Sequence, residues 1–352
     1  MHTRPPTAPH ARPPTVRPER RRTHAALTLA CLTTLCAELT FTAVAVPKAW
    51  LLLPLLVVMY GAGVLVIREA VVRVGVGWPG LVLLALAYQV AEDGLGLQAL
   101  TSPEMYDVTD WSVRSLGVNW SYWESQIGVH VALSVLLPVM LANLLFPELR
   151  DRPYLGGRGL LVAGALAVVG VLGLRGLVSA TEDPGYRTPW GWTVAYVLVI
   201  AVLAWLALRV LPRYRGSGRV HGRRRAPRPV VVGAVSGYLT TAFLTTLMPF
   251  GLGDDMLMGD LMSTESRLLV GAMTAVPFAW VVARWRGSAD WSDAHRLWLA
   301  GGILVSHTAF MMPASLASVF LGLGTIVLEV VLLVALARRV RRRSPVPEPR
   351  RG

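Results

Sequence analysis

Apolar runs of about twenty residues recur along this chain, and each is as long as a helix must be to cross roughly 30 Å of hydrocarbon at 1.5 Å per residue. Ten are read, at 25–46, 50–67, 79–100, 126–146, 159–179, 191–211, 229–249, 268–283, 297–312 and 314–337. The ninth is short and is ended by Pro313. A chain of 352 residues that is 54% hydrophobic and 16% charged belongs to the membrane class rather than to one or two soluble domains. The expected fold is all-α: a polytopic integral membrane protein of about ten transmembrane helices, its lipid bilayer the first partner. One transmembrane domain is expected over 25–337, between a basic Pro/Arg-rich tail (1–24) and a second basic tail (338–352). The stretch through Arg22 and the segment Ser344 to Gly352 have too little apolar surface to fold and are expected to be disordered.

Charge placement tests the span count independently, because arginine accumulates on the cytoplasmic side of a membrane. With the N-terminus inside, the inner segments hold 28 of the 34 basic residues: six before residue 25, then 2, 3, 7, 3 and 7. Lys48, Arg114, Arg187 and Arg267 fall outside, and Arg175 and Arg209 lie within spans. Ten acids lie in outer loops, among them Glu104, Asp107, Asp110, Glu182, Asp183, Asp254, Asp255 and Asp260. A wrong span count would scramble this alternation. Both termini are therefore expected in the cytoplasm and the chain in the plasma membrane. The net charge of +13 reads as a topology signal with some attraction to anionic lipid, not as a nucleic-acid surface. The basic side chains are almost all arginine, which suggests a GC-rich bacterial coding sequence. Basic residues, an apolar run and Ala43-Val44-Ala45 also resemble a signal peptide, but Glu38 breaks the run, which is long for such a segment.

Glu38, Glu92, Asp93 and Glu329 stand inside the apolar runs. A carboxylate at membrane depth costs roughly 2 to 4 kcal/mol, so such residues usually face a packed or watery interior. Counting from the helix ends places Glu38, Glu92, Asp93, His130, Arg175 and His307 at one outer level, with Glu329 nearer mid-membrane and Asn143 nearer the inside. Tyr88, Gln89, Thr240, Thr241, Thr245 and Thr246 add polar atoms at similar depth. The set describes a candidate cavity opening outward. Adjacent acids project about 100° apart on a helix, so at least one of Glu92 and Asp93 should face protein or water. Structural readings compete. His130 and Arg175 lie close enough to the surface to snorkel, His307 suits a packing role, and Glu38 and Glu329 suit pairs with arginine.

Cys31 and Cys36 lie five positions apart on different faces of the first span, which excludes a local disulfide and leaves buried free thiols. Gly233-Ala-Val-Ser-Gly237 is a small-xxx-small pattern for close helix approach, and Gly170, Gly173 and Gly176 offer the same on the fifth run. The outer loop 101–125 carries Tyr106, Trp111, Trp120, Tyr122 and Trp123, expected as an aromatic belt, with a lid or ligand platform over the cavity as the alternative. Asn119-Trp120-Ser121 matches a glycosylation sequon, of little meaning in a bacterial host.

Tyr60-Gly61-Ala62-Gly63, Ile67-Arg68-Glu69-Ala70, Gly77-Trp78-Pro79, Ala87-Tyr88, Glu92-Asp93-Gly94-Leu95 and Leu145-Phe146-Pro147-Glu148 together resemble the core of an uncharacterised family of bacterial multi-spanning membrane proteins. The likeness covers about the first 150 residues. It implies the architecture and no reaction. The CAAX-processing intramembrane proteases pair two glutamates with an arginine four residues on. Here Gly96 and Leu97 take its place, Asp93 replaces the second glutamate, and no Phe-x-x-x-His surrounds either histidine.

Three functions fit these residues. The first is a secondary transporter or exporter of an ion or small molecule, with Glu38, Glu92, Asp93 and Glu329 binding a cation or proton and His130 and His307 as relay groups. The second is a structural or accessory membrane subunit, whose acids would pair with arginines and surround no cavity. The third is an intramembrane metal-dependent hydrolase in which the acids converge with both histidines. No cofactor is expected. Zinc is chemically within reach of two histidines and carboxylates at one depth, although no motif prescribes it. Soluble catalytic signatures such as a phosphate-binding loop are absent.

Overall fold

The computed structural model describes residues 18–214, 225–249 and 257–343. Ten long helices follow the apolar runs in order: α1 (Glu19–Ala45), α2 (Leu53–Val74), α3 (77–96), α4 (Trp120–Leu145), α5 (Gly157–Glu182), α6 (Trp190–Val210), α7 (Pro229–Leu247), α8 (Thr264–Arg286), α9 (Asp293–Phe310) and α10 (Leu316–Arg343). Eight of them, all but α2 and α3, are long and apolar enough to cross a membrane. α2 carries Arg68, Glu69 and Arg73, and α3 carries Glu92 and Asp93. The protein is all-α and of the membrane-spanning type, as a chain in hydrocarbon must be if every backbone N–H and C=O is to be bonded within its own segment.

Two domain limits move. Helical backbone already includes Pro18, one residue before the bounds given for α1, so Arg20 to Arg22 are helical rather than part of a disordered tail. Its first turn is held by Thr23 Oγ1 donating to the Glu19 carbonyl (3.2 Å) and by Arg21 against Glu148 (2.6 Å). α10 continues through Arg343, whose guanidinium donates to the Leu144 carbonyl at 3.3 Å, so the boundary expected at 337 falls inside a helix. Residues 1–17 and 344–352, and with them most of the expected tails, lie outside the described residues, as do Asp254 and Asp255.

α1 and α4 form the centre, with 61% and 67% of their apolar windows buried, against 11% for α6 and α8 and 17% for α5 and α10. The outer helices present exposed Leu, Val and Trp, including Leu172, Trp205, Trp280 and Val331, as a lipid-facing surface would. α7 lies against α9 through the predicted small-residue stripe. A Cβ on Gly237 would stand 2.9 Å from Ser306 Oγ, and one on Gly302 would collide with Ser236 Oγ and the Gly233 carbonyl. On α5 only Gly170 is used in this way, against Met59, while Gly173 and Gly176 face open space.

The segments sort onto two ends as the charge alternation requires. At one end Arg150 meets Asp293 (3.4 Å), the Ala226 N–H donates to Asp290 (2.7 Å) and Arg286 lies over the Trp78 ring. The buried Arg68 locks this end: it donates to the carbonyls of Leu149 (2.7 Å), Arg150 (3.3 Å) and Arg152 (3.2 Å), and stacks on Tyr154. Glu69 beside it accepts the Tyr154 N–H at 2.6 Å and pairs with Arg73 at 3.2 Å. Burial raises the Tyr154 phenol above its ordinary range, with the Arg68 charge opposing.

At the opposite end residues 97–119 fold down over the helices. Gln98 donates to Ser179 Oγ (2.9 Å) and accepts the Thr188 N–H (2.9 Å), and Ser102 donates to Asp183 (2.5 Å). A small hairpin, β1 (Arg114–Ser115) against β2 (Val118–Asn119), closes through Leu116 and Gly117. Asn119 is fully buried and spends its amide on the carbonyls of Ala99 (2.8 Å) and Ser102 (2.7 Å), so the sequon is not presented to solvent. Gln98, Tyr106, Asp107 and Leu116 all have positive φ, the only non-glycine residues to do so among the described residues. Side chains pay for that backbone only where packing over-determines it.

Candidate functional site

Four of the helices that carry candidate residues widen locally into π-helix. The segments are Leu35–Thr42 with Glu38, Val90–Gly96 with Glu92 and Asp93, Ile127–Leu136 with His130, and Leu174–Ser179 with Arg175. A π turn bonds residue i to i+5 and adds one residue to the turn, re-aiming the side chains around it, and such turns recur at functional sites.

The first three meet in one network. Tyr60 on α2 donates to Glu38 Oε1 at 2.7 Å, and its ring lies over that of His130 at 6.3 Å between centroids. His130 sits between two acids, with Nδ1 3.4 Å from Glu92 Oε2 and Nε2 3.5 Å from Asp93 Oδ1. Asp93 accepts Gln89 Nε2 at 2.8 Å and the Tyr122 hydroxyl at 3.1 Å. Gln89 Oε1 accepts the Trp123 indole N–H at 3.0 Å. The hydroxyls of Tyr60 and Tyr88 neighbour Glu92, yet neither Glu92 oxygen has a donor in bonding geometry.

Local packing fixes these positions. Gly63 lets the Tyr88 ring lie directly on α2, and Gly94, next to Asp93, admits Tyr196 of α6, whose Cδ2 would stand 2.9 Å from an added Cβ. Glu92, Asp93 and Gln89 are at most 1% exposed and His130 is 5% exposed. The expected outward-opening cavity is therefore closed. The loop supplies the roof, and Trp111 and Tyr122 turn inward rather than forming a belt at the interface. His130 does not snorkel. Of the cluster's acids only Glu38 is partly exposed.

Other candidates stand apart. Arg175 donates to the Leu95 carbonyl at 3.4 Å and reaches no carboxylate. Thr245 and Thr246 bond back to carbonyls of their own helix. Cys31 is exposed and Cys36 buried, both as free thiols. His307 stacks on Phe41 at 4.0 Å, and neither ring nitrogen has a hydrogen-bond partner. Its neighbour Thr308 lies 2.8 Å from both the Thr40 carbonyl and Glu329 Oε1, joining α9 to α1 and α10. Glu329 is thus held by Thr308, apart from the His130 network, and His307 by its stacking on Phe41.

The arrangement speaks to each function. The accessory-subunit reading required acids that pair with arginines and surround no cavity: the acids here surround no open cavity, but among the described residues none of Glu38, Glu92, Asp93 and Glu329 forms a salt bridge with arginine. The hydrolase reading required His307 to join His130 and the acids, and it does not. Among the described residues no three His, Cys, Asp or Glu side chains are grouped to hold a metal ion. What remains is an imidazole flanked by carboxylates at distances just beyond the 2.7–3.2 Å of a good hydrogen bond. A neutral imidazole accepts at one nitrogen and donates from the other, so a proton taken at one side can leave at the other.

Tyr60 was not singled out as a site residue in the sequence, and Tyr122 and Trp123 were expected as part of an aromatic belt, with a place over the cavity only as the alternative. No periodic signal marks them, since their role depends on the register of three π segments and on a loop folding inward. Comparison with protein-family models, with curated proteins and with solved structures returns no match, so any reading of function rests on these residues alone.

Proposed function

We propose that this protein is a secondary transporter or exporter of the plasma membrane, crossing it ten times with both termini in the cytoplasm. The network around His130 is its proton or cation site. Glu92 and Asp93 bind the ion, Glu38 is the partly exposed entry carboxylate, Tyr60 links Glu38 to the interior and His130 relays between the two buried acids. Glu329 and His307 form a second polar station.

One observation supports this reading: two carboxylates flank a single imidazole and a third is bonded to the tyrosine stacked on it, with no arginine or lysine bonded to any of them among the described residues. Even a charged imidazole leaves an excess of negative charge in a low-dielectric interior. Such an excess is relieved by binding protons or a cation. A purely structural site would be expected to satisfy its acids, yet Glu92 is buried with both oxygens lacking donors.

The test uses the full chain in liposomes enclosing a pH-sensitive dye, with a potassium diffusion potential imposed. Protein-dependent proton movement that Glu92→Gln with Asp93→Asn abolishes is the expected result. Full proton movement in the doubly substituted, folded protein rejects the assignment.

A further inference from the structure

Trp120, Trp123, Glu124 and Ile127 of α4, with Leu268 of α8, line a shallow cavity of about 270 Å³, open to the outside, at the outer end of the helices. The two indoles stack at 5.5 Å, 17° apart. Both indole N–H groups are already committed, Trp120 to the Ser115 carbonyl (3.1 Å) and Trp123 to Gln89 (3.0 Å). The cavity therefore offers a ligand aromatic surface and aliphatic side chains but no indole donor. Its one unspent polar group is an acceptor: Glu124 Oε1 is buried and has no hydrogen-bond partner. Arg267, next to Leu268 on α8 and not part of the lining, donates to Thr264 Oγ1 at 2.9 Å while its Nε and Nη1 are buried without partners.

We propose that this cavity binds an organic ammonium cation with a small apolar body. The chemistry selects the class. An anion would meet an unneutralised carboxylate, and a neutral apolar molecule would leave that carboxylate desolvated and unpaired. A cation on an indole beside Glu124 satisfies both features. The inference rests on the transport reading and gives it a substrate class, because Trp123 ties this cavity to the ion site through Gln89 and Asp93 in two hydrogen bonds. Movement of the Trp123 indole on ligand entry is thereby felt at the carboxylate that faces His130.

The test is equilibrium dialysis of the purified full chain with labelled benzyltrimethylammonium, and with its uncharged carbon isostere. Saturable binding of the cation is expected, stronger than that of the isostere and weakened about tenfold or more by Glu124→Gln. Trp120→Leu supplies a second variant, expected to weaken binding by about three- to thirtyfold, as loss of a partly desolvated cation–π contact does. Equal binding of the isostere makes the cavity a groove for lipid tails and overturns the proposal, as does unchanged affinity in both variants. Binding that depends on Glu124 without cation-driven proton movement in liposomes keeps the cavity and rejects the transport reading. Proton movement without cation binding rejects the cavity alone.

Discussion

Glu92 and Asp93 are adjacent and equally buried, yet their amide variants should behave differently. Asp93 accepts from Gln89 at one oxygen and from Tyr122 at the other. Gln89 is fixed in orientation by Trp123, so in Asp93→Asn the new carbonyl must face Gln89 and the new NH₂ must face the Tyr122 oxygen. The Tyr122 hydroxyl hydrogen then has no acceptor, and one buried donor left unpaired costs about 1 to 3 kcal/mol. Glu92 has no hydrogen bond of ordinary length, its partner being His130 Nδ1 at 3.4 Å, so Glu92→Gln leaves no donor stranded and should cost less than Asp93→Asn, within about 1 kcal/mol. Unfolding of the purified variants with increasing SDS in mixed micelles, followed by tryptophan fluorescence, measures the difference. Proton movement in liposomes should fall in both. If Glu92→Gln is destabilised as much as Asp93→Asn, Glu92 is a structural residue and the reasoning that singles it out as the ion-binding carboxylate fails.

Five further substitutions test the frame around the site by the same unfolding assay. Arg68→Met strips donors from three loop carbonyls and leaves Glu69 buried beside the gap, and should cost about 3 to 5 kcal/mol, with new protease cleavage in the 147–155 loop. Gly302→Ala should cost about 1 to 3 kcal/mol by forcing α7 and α9 apart, whereas Gly173→Ala, which meets nothing, should be neutral or stabilising by about 0.4 to 1 kcal/mol. Thr308 has one hydroxyl hydrogen and two oxygens at 2.8 Å. If it donates to the Thr40 carbonyl, Glu329 must supply the other hydrogen, which an amide does equally well. Glu329→Gln should then be silent while Thr308→Val costs about 1 to 3 kcal/mol, and equal losses would show that Glu329 accepts instead.

The helices were legible because their signal is long and redundant. Twenty apolar residues and the alternation of arginine between segments constrain each other, and both are properties of composition rather than of side-chain direction. The ends were less so: the run of Arg20 to Arg22 reads as a tail, but pairing of Arg21 with Glu148 draws it into helix. Arg68 and Glu69 read as ordinary inner-loop charge, because nothing in one dimension shows that a later loop will present three carbonyls and an N–H to them.

The candidate residues were legible in the sequence, and which of them meet was not. Counting residues at 1.5 Å each placed Glu38, Glu92, Asp93, His130 and His307 at one level, but which of them meet is set by rotation about each helix axis. A regular helix separates adjacent side chains by about 100°, which gives one of Glu92 and Asp93 to the interior and the other to a different surface. In the π segment both turn inward and take opposite nitrogens of one imidazole, itself carried on a second π segment. Each wider turn sacrifices regular backbone geometry, and the sequence around it, Val90-Ala91-Glu92-Asp93-Gly94, gives no local reason for the loss. The reason is on other helices: Tyr196 packed on Gly94, Tyr122 on Asp93 and Tyr60 over His130. Restoring a regular helix at 90–96 would swing one acid off His130 and leave the other as its sole partner, ending transfer across the ring. The π turns are therefore where the proposed relay is specified.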